Sequence, residues 1–391
     1  MSPTYPRLSS HLDDRDADGY LVDADGENSD QYYLSGYHAP DRFTTLYAEG
    51  RVVSLVSSLE YTRAESDSAA DEVRKTAEFE DDEVDEMDDP RVAAKHVTAN
   101  FLEAYGVDRV VVPDAFPTGT ADVLRERGVG VAWDDEYVMT DVRAVKSERE
   151  VDHIRAAQRA NEAAMRVAEE MLERATVADG TLRLDGEPLT SERVRERIEI
   201  RLLEAGCRLD DCIVAGGPAA ARGHDSGSGP LTANTPIVVD IFPRDSETRY
   251  FADMTRTFVK GDPDDRTREW YDLAHEAYEA ALDTIEAGVT GEEVDDAVCD
   301  VFEDAGYATP RSHDAPEDGF IHSTGHGVGL DVHESPYLAQ KGGELEAGHV
   351  VTVEPGLYEQ GVGGVRVEDL VVVREDGYEN LTDYPTELQV V

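Results

Sequence analysis

Four acidic residues sit in runs that are otherwise almost continuously apolar. Asp240 stands in PIVVDIF, Asp253 in YFADMTRTF, Glu354 at the end of HVVTVE and Glu368 in VRVEDLVVV. Runs of this kind read as strands buried on both faces. A buried carboxylate is costly unless a charge or several hydrogen bonds compensate it. The first two strands are expected to form a hairpin closed by the polar loop Asp245–Thr248, which sets Asp240 opposite Asp253. The last two pair across the Gly-rich stretch Gly356–Gly364, setting Glu354 opposite Glu368, with Arg366 on the same face. Like charges opposed across a ladder repel. Each pair therefore calls for something positive between its members.

Between the hairpins lies HSTGHGVGLDVHE, which holds His322, His326 and His333, with glycines at 325, 327 and 329 that let the backbone approach a site closely. Four carboxylates and an imidazole form an oxygen-rich set suited to two divalent ions such as Mn, Co, Fe or Zn. The four negative charges balance two such ions. A hydroxide bridging ions about 3.5–4 Å apart would then be the nucleophile toward a scissile carbonyl.

Position matters because acids are plentiful: 86 acidic residues against 36 basic ones give a formal net charge of −50. A single acid in such a chain is expected at a solvated edge or turn. The field disfavours nucleic acid and anionic membrane surfaces as partners. Lysine is confined to Lys75, Lys95, Lys146, Lys260 and Lys341, the other bases being arginine. An acid-rich, lysine-poor chain is expected of a halophilic source, because at 1 M salt the Debye length is only about 3 Å and self-repulsion is screened. Cys207, Cys212 and Cys299 make neither a disulfide framework nor a zinc spacing and read as small buried hydrophobes in a reducing compartment. The opening MSPTYPRLSS has no apolar core and no run of 18 apolar residues follows, so the reading is cytoplasmic.

Along the chain, GYLVDA, DQYYLSGY, FTTLYAE and RVVSLVSS read as strands, and the acidic stretch 64–90 as a solvated loop or surface helix. Strand–helix alternation after it makes residues 1–142 an α/β domain. Residues 143–391 form a second domain, the boundary falling near Arg143. Its first helix covers Ser147–Glu173, with Ser147 and Glu150 as a capping box and an apolar stripe through Val151, Ile154, Ala157 and Ala160. Further helices are expected near 190–205, 265–286 and 291–305.

DIFPRDSETRYFADMTRTF, HSTGHGVGLDVHESP, VTVEPGLY and GGVRVED resemble, in order, the ligand motifs of the pita-bread metallopeptidases. That family includes Xaa-Pro aminopeptidase, prolidase, methionine aminopeptidase and creatinase. The resemblance implies a mixed α/β (α+β) chain, with an N-terminal creatinase-like domain before a pita-bread catalytic domain. It puts Asp240, Asp253, His326, Glu354 and Glu368 on the metal-ligand positions, with Asp253 and Glu368 bridging two divalent ions, manganese foremost. It also implies that Glu354 moves the proton, that His224 faces the leaving group and that His333 steadies the substrate carbonyl. Arg366 and Tyr358 match positions that orient Glu368 and the substrate; His322, four residues before the ligand, is expected either to act in the site or only to line the cleft. The activity implied is hydrolysis of an Xaa-Pro bond at the N-terminus of short proline-containing peptides by a homodimer. Methionine aminopeptidase-like and creatinase-like hydrolysis, and a metal-free peptide-binding module on the same fold, are the alternatives. Two departures stand out: Ile241 and Phe242 follow Asp240 where the family often has Asp-x-Gly, and no proline precedes His224.

Overall fold

The hairpin expected around Asp240 exists, but its register is two residues away from the expected one. In the computed structural model, which describes residues 5–391, Asp240 in the strand Ile237–Ile241 faces Thr255 in the strand Met254–Val259. The loop closes one residue later than expected: Asp245 N–H donates to Tyr250 O, and Arg249 turns the chain at φ 67°. Because the shift is even, Asp253 stays on the face of Asp240, as a diagonal rather than a direct neighbour. The first residues of the N-terminal stretch, 1–4, lie outside the described residues.

Contacts divide the chain into two compact units, one ending at Arg143 and the other running from Ala144 to Val391. The first is built on a six-stranded sheet. In spatial order its strands are Glu72–Lys75, Arg51–Val56, Phe43–Ala48, Gly19–Ala24, Arg109–Val112 and Gly130–Trp133. The three central strands form an antiparallel meander, and parallel strands flank it. Two expectations are corrected here. DQYYLSGY is not a strand: Ser29–Ser35 is a helix, capped by Asn28, whose side chain accepts from Gln31 N–H, and ended by Gly36 in the left-handed region. The 64–90 stretch is not simply solvated loop or surface helix. It contributes the edge strand Glu72–Lys75, whose bases Arg74 and Lys75 stand among the acids.

The second unit has two matched halves. In one, the helices Glu148–Arg174 and Ser191–Glu204 cover a sheet made of Cys212–Gly216, Ile237–Ile241, Met254–Val259 and Gln389–Val390. In the other, Asp265–Thr284 and Gly291–Asp304 cover five strands in the order Glu334–Leu338, Gly325–Gly327, Val350–Val353, Asp369–Arg374 and Gly377–Asn380. Each half buries its own apolar core, which leaves the other faces of the sheets free to build a cleft. Ser147 caps the first helix as expected, with Glu150 completing the box. Its buried stripe runs through Val151, Ile154 and Ala157 and then turns polar at Gln158 and Asn161, while Ala160 is only half-buried. Among the described residues no helix is long and apolar enough to cross a membrane.

A buried carboxylate cluster as candidate metal centre

Of the four informative acids only Asp240 lies inside a strand. Asp253 precedes Met254–Val259, Glu354 follows Val350–Val353 and Glu368 precedes Asp369–Arg374. The ladder that would pair Glu354 with Glu368 is present on both sides of them. Val353 faces Asp369, and Gly356 faces Arg366. At the acids themselves the strands part: Glu354 N–H donates to Thr324 O at 2.9 Å and Glu368 N–H to Thr255 O at 3.1 Å. With the ladder open there, the Glu368 carboxylate accepts from Thr255 of the other sheet, while Glu354 faces Thr352 and His326 of its own.

Donor atoms of Asp253, His326 and Glu368 lie within 4.8 Å of one another, all three residues buried. His326 is held by the short strand Gly325–Gly327. Its Nδ1 lies 3.1 Å from Gly327 O, leaving Nε2 to face Glu354 Oε1 at 3.3 Å and Asp253 Oδ2 at 3.8 Å. The glycines beside it are required, because a Cβ on Gly325 would lie 2.0 Å from Thr352 O and one on Gly327 2.2 Å from Ser335 O. Asp240 accepts from Arg366 Nη2 at 2.5 Å through one oxygen, while its buried Oδ1 has no partner.

Burial pushes Asp253 and Glu368 well above the usual carboxylate range, and the neighbouring carboxylates push them further. Asp240 is raised by burial too, with Arg366 opposing. Burial acts the same way on Glu354, but the bond and charge of His326 overcome it and take that carboxyl down to about 2. So concentrated an acidic site is relieved by cations. Four carboxylates, one imidazole and an orphaned carboxylate oxygen are donors that fit divalent ions.

Two threonines and a glutamine, all unmarked in the sequence reading, hold the cluster. Thr255 Oγ1 donates to Glu368 at 2.7 Å and accepts from Arg366 Nε at 3.1 Å. Thr352 Oγ1 donates to Glu354 at 3.2 Å and accepts from His326 N–H at 3.0 Å. Gln158 brackets the Asp253 backbone, donating to its carbonyl at 3.1 Å and accepting its N–H at 3.2 Å. The threonines were findable, since each stands two residues from an acid on the same face. Gln158 was not, because nothing local marks what a helix residue will meet.

Arg366 was expected to orient Glu368. It reaches Glu368 only through Thr255, and its direct carboxylate partner is Asp240. Tyr358 is buried behind it, accepting from Arg366 Nη1 at 3.0 Å and lying 3.0 Å from His322 Nε2. Burial pushes His322 down, and Nδ1 lies 2.8 Å from Ser323 O. Tyr358 O–H can therefore donate to a neutral imidazole. The cluster floors a cavity of about 590 Å³ whose wall includes Asp211, Ile213, His224, Phe242, His333 and Tyr337. His333 stacks edge-on against His326 with ring centroids 4.4 Å apart, and burial and the His326 charge push it down. His224 is exposed on the wall, with φ 57°.

Comparison with known proteins places these residues in a family. Residues 152–375 match the family described as metallopeptidase family M24, and residues 6–157 match the creatinase/prolidase N-terminal domain. An Xaa-Pro dipeptidase of Pyrococcus horikoshii is 26% identical over 99% of both chains. One of Pyrococcus furiosus is 32% identical over 64% of this chain and 66% of its own. Among solved structures, an Xaa-Pro dipeptidase from Bacillus anthracis superposes with TM-score 0.81 at 25% identity, covering 98% of each chain. The prolidase from Pyrococcus horikoshii OT3 superposes with TM-score 0.77 at 25% identity, covering 97% of each. The chain therefore belongs to metallopeptidase family M24, a metal-dependent hydrolase that carries a creatinase/prolidase N-terminal domain ahead of its catalytic unit.

Proposed function

We propose that the protein hydrolyses the bond between an N-terminal residue and a following proline in short peptides, as an Xaa-Pro aminopeptidase or dipeptidase. The convergence of Asp240, Asp253, His326, Glu354 and Glu368 on one cavity carries the reading. The likeness to Xaa-Pro dipeptidases along the whole chain supports it. These five residues would hold two divalent ions, manganese foremost. When bound, such ions supply an acidified water and polarise the scissile carbonyl.

The chain's own groups do the rest. Glu354, ionised in the neutral range, takes the proton of the attacking water and passes it to the leaving proline nitrogen. His333, kept neutral, donates toward the carbonyl oxygen from the wall, and His224 faces the leaving group. Arg366 fixes Asp240 and, through Thr255, the carboxylate of Glu368. Residues 143–391 are the catalytic domain and 1–142 the accessory one, which supports a homodimer. The setting is a salt-rich cytoplasm.

The test is release of the first residue from Xaa-Pro peptides by Mn- or Co-loaded protein in molar salt, with bound metal measured in parallel. Absence of both metal and hydrolysis overturns the reading. So does release of Met from Met-Ala peptides with no action on Xaa-Pro.

A further inference from the structure

A dipeptide ending in proline cannot keep its terminal charge out of the cleft. The carboxylate carbon is two bonds from the scissile nitrogen, so it must enter wherever the proline is seated. A longer peptide presents a neutral amide at the same place. A carboxylate taken from water needs a cation or several donors, or its binding is penalised.

Apart from ions that the acidic cluster would hold, the wall offers no free arginine or lysine among the described residues. Arg366 is its only arginine or lysine among the described residues. That guanidinium is buried, with Nη2 on Asp240, Nε on Thr255 and Nη1 on Tyr358. Turning it toward a substrate would strip Asp240 of its counter-charge. The base before His224, Arg222, is paired with Asp225 at 2.9 Å. Asp211 adds another negative charge to the wall, its two oxygens taken by Cys212 N–H and Ser226 Oγ, both at 2.8 Å.

The wall also carries an exposed aromatic ring. Tyr337 lies directly across the ladder from His326, on the same face, and it keeps 47% of its surface exposed while lining the cavity. The start of the helix Gly291–Asp304 approaches it closely, the Tyr337 carbonyl lying 2.1 Å from where a Gly291 Cβ would be, so the backbone that aims the ring is tightly held. An exposed phenol ring in a cleft receives apolar and amide surface and offers a carboxylate one neutral O–H donor but no charge.

We infer that the cleft selects Xaa-Pro peptides whose proline is followed by a further residue and discriminates against free Xaa-Pro dipeptides, with Tyr337 as a specificity-determining residue. The inference rests on the Xaa-Pro reading above and decides between its two forms in favour of the aminopeptidase. The experiment compares kcat/KM of the metal-loaded protein for Ala-Pro, Ala-Pro-amide and Ala-Pro-Ala, substrates that share the scissile bond. The amide and tripeptide are expected to exceed the dipeptide by about tenfold or more, the scale of one unsatisfied charged group. Tyr337→Arg, which installs a cation at an exposed position, is expected to narrow that ratio by raising Ala-Pro. A dipeptide hydrolysed as well as its amide by the unmodified protein overturns the inference and leaves the Xaa-Pro reading standing. A ratio unchanged in Tyr337→Arg removes Tyr337 from it. Failure on all three substrates overturns the Xaa-Pro reading, and this inference with it.

Discussion

Single residues decide the chemistry, and Glu354 is the sharpest case. It is the one carboxylate of the cluster held well below the usual range, at about 2, because His326 sits against it. Glu354→Gln keeps the shape and removes the proton acceptor. We expect kcat to fall by about 10²–10⁴-fold with the fold intact by far-UV circular dichroism; full turnover would exclude Glu354 from proton transfer. Gln158 acts at one remove. Gln158→Leu leaves the Asp253 N–H and C=O buried without partners, at an expected cost of about 1–3 kcal/mol. Denaturant melts with and without manganese check this. A carboxylate whose backbone has come loose should also show a smaller rise in stability on adding metal.

At the level of elements, the site depends on where ladders stop. The strand Gly325–Gly327 brings His326 to the cluster only because nothing but hydrogen stands between its glycines and the neighbouring carbonyls. Gly325→Ala would place a methyl 2.0 Å from Thr352 O, so the strands must separate and carry Thr352 away from His326 and Glu354. We expect metal to no longer raise the melting temperature, while far-UV circular dichroism stays that of the parent; retained metal-linked stabilisation would show that the strand can adjust. The elements themselves divide by how local their signals are. Helices with caps and a long apolar period were legible, among them Glu148–Arg174 and Gly291–Asp304. The misjudged segment 29–35 is a short helix whose Tyr-Tyr-Leu run carries strand propensity, overridden by Asn28 and Gly36 at its ends.

For the whole molecule the charge is decisive. With 36 bases for 86 acids, one-to-one pairing leaves 50 acids unneutralised. Surface ion pairs such as Arg311 with Asp300 and Glu303 weaken in salt, whereas repulsion among the excess acids is relieved by it. The excess outweighs the pairs, so the melting temperature is expected to fall as KCl is lowered from about 3 M to about 0.1 M, where the Debye length lengthens from a few to about 10 Å. A melting temperature that holds or rises on removing salt would show that the acid serves something other than solvent.

By itself the sequence marked out the residues that gather in the cleft. Acids within or bordering apolar runs and a histidine beside glycines flagged these donors, and Asp253 kept the face of Asp240 because side-chain alternation survives a register error of two. Tertiary structure alone decided what each donor touches. It set Asp240 against Arg366 rather than opposite Asp253, opened the ladder at Glu354 and Glu368, and brought Gln158 to Asp253 and Tyr337 to the face of His326. Those contacts join residues far apart in the chain. They arise from packing two half-sheets and their helices together, which no local pattern encodes.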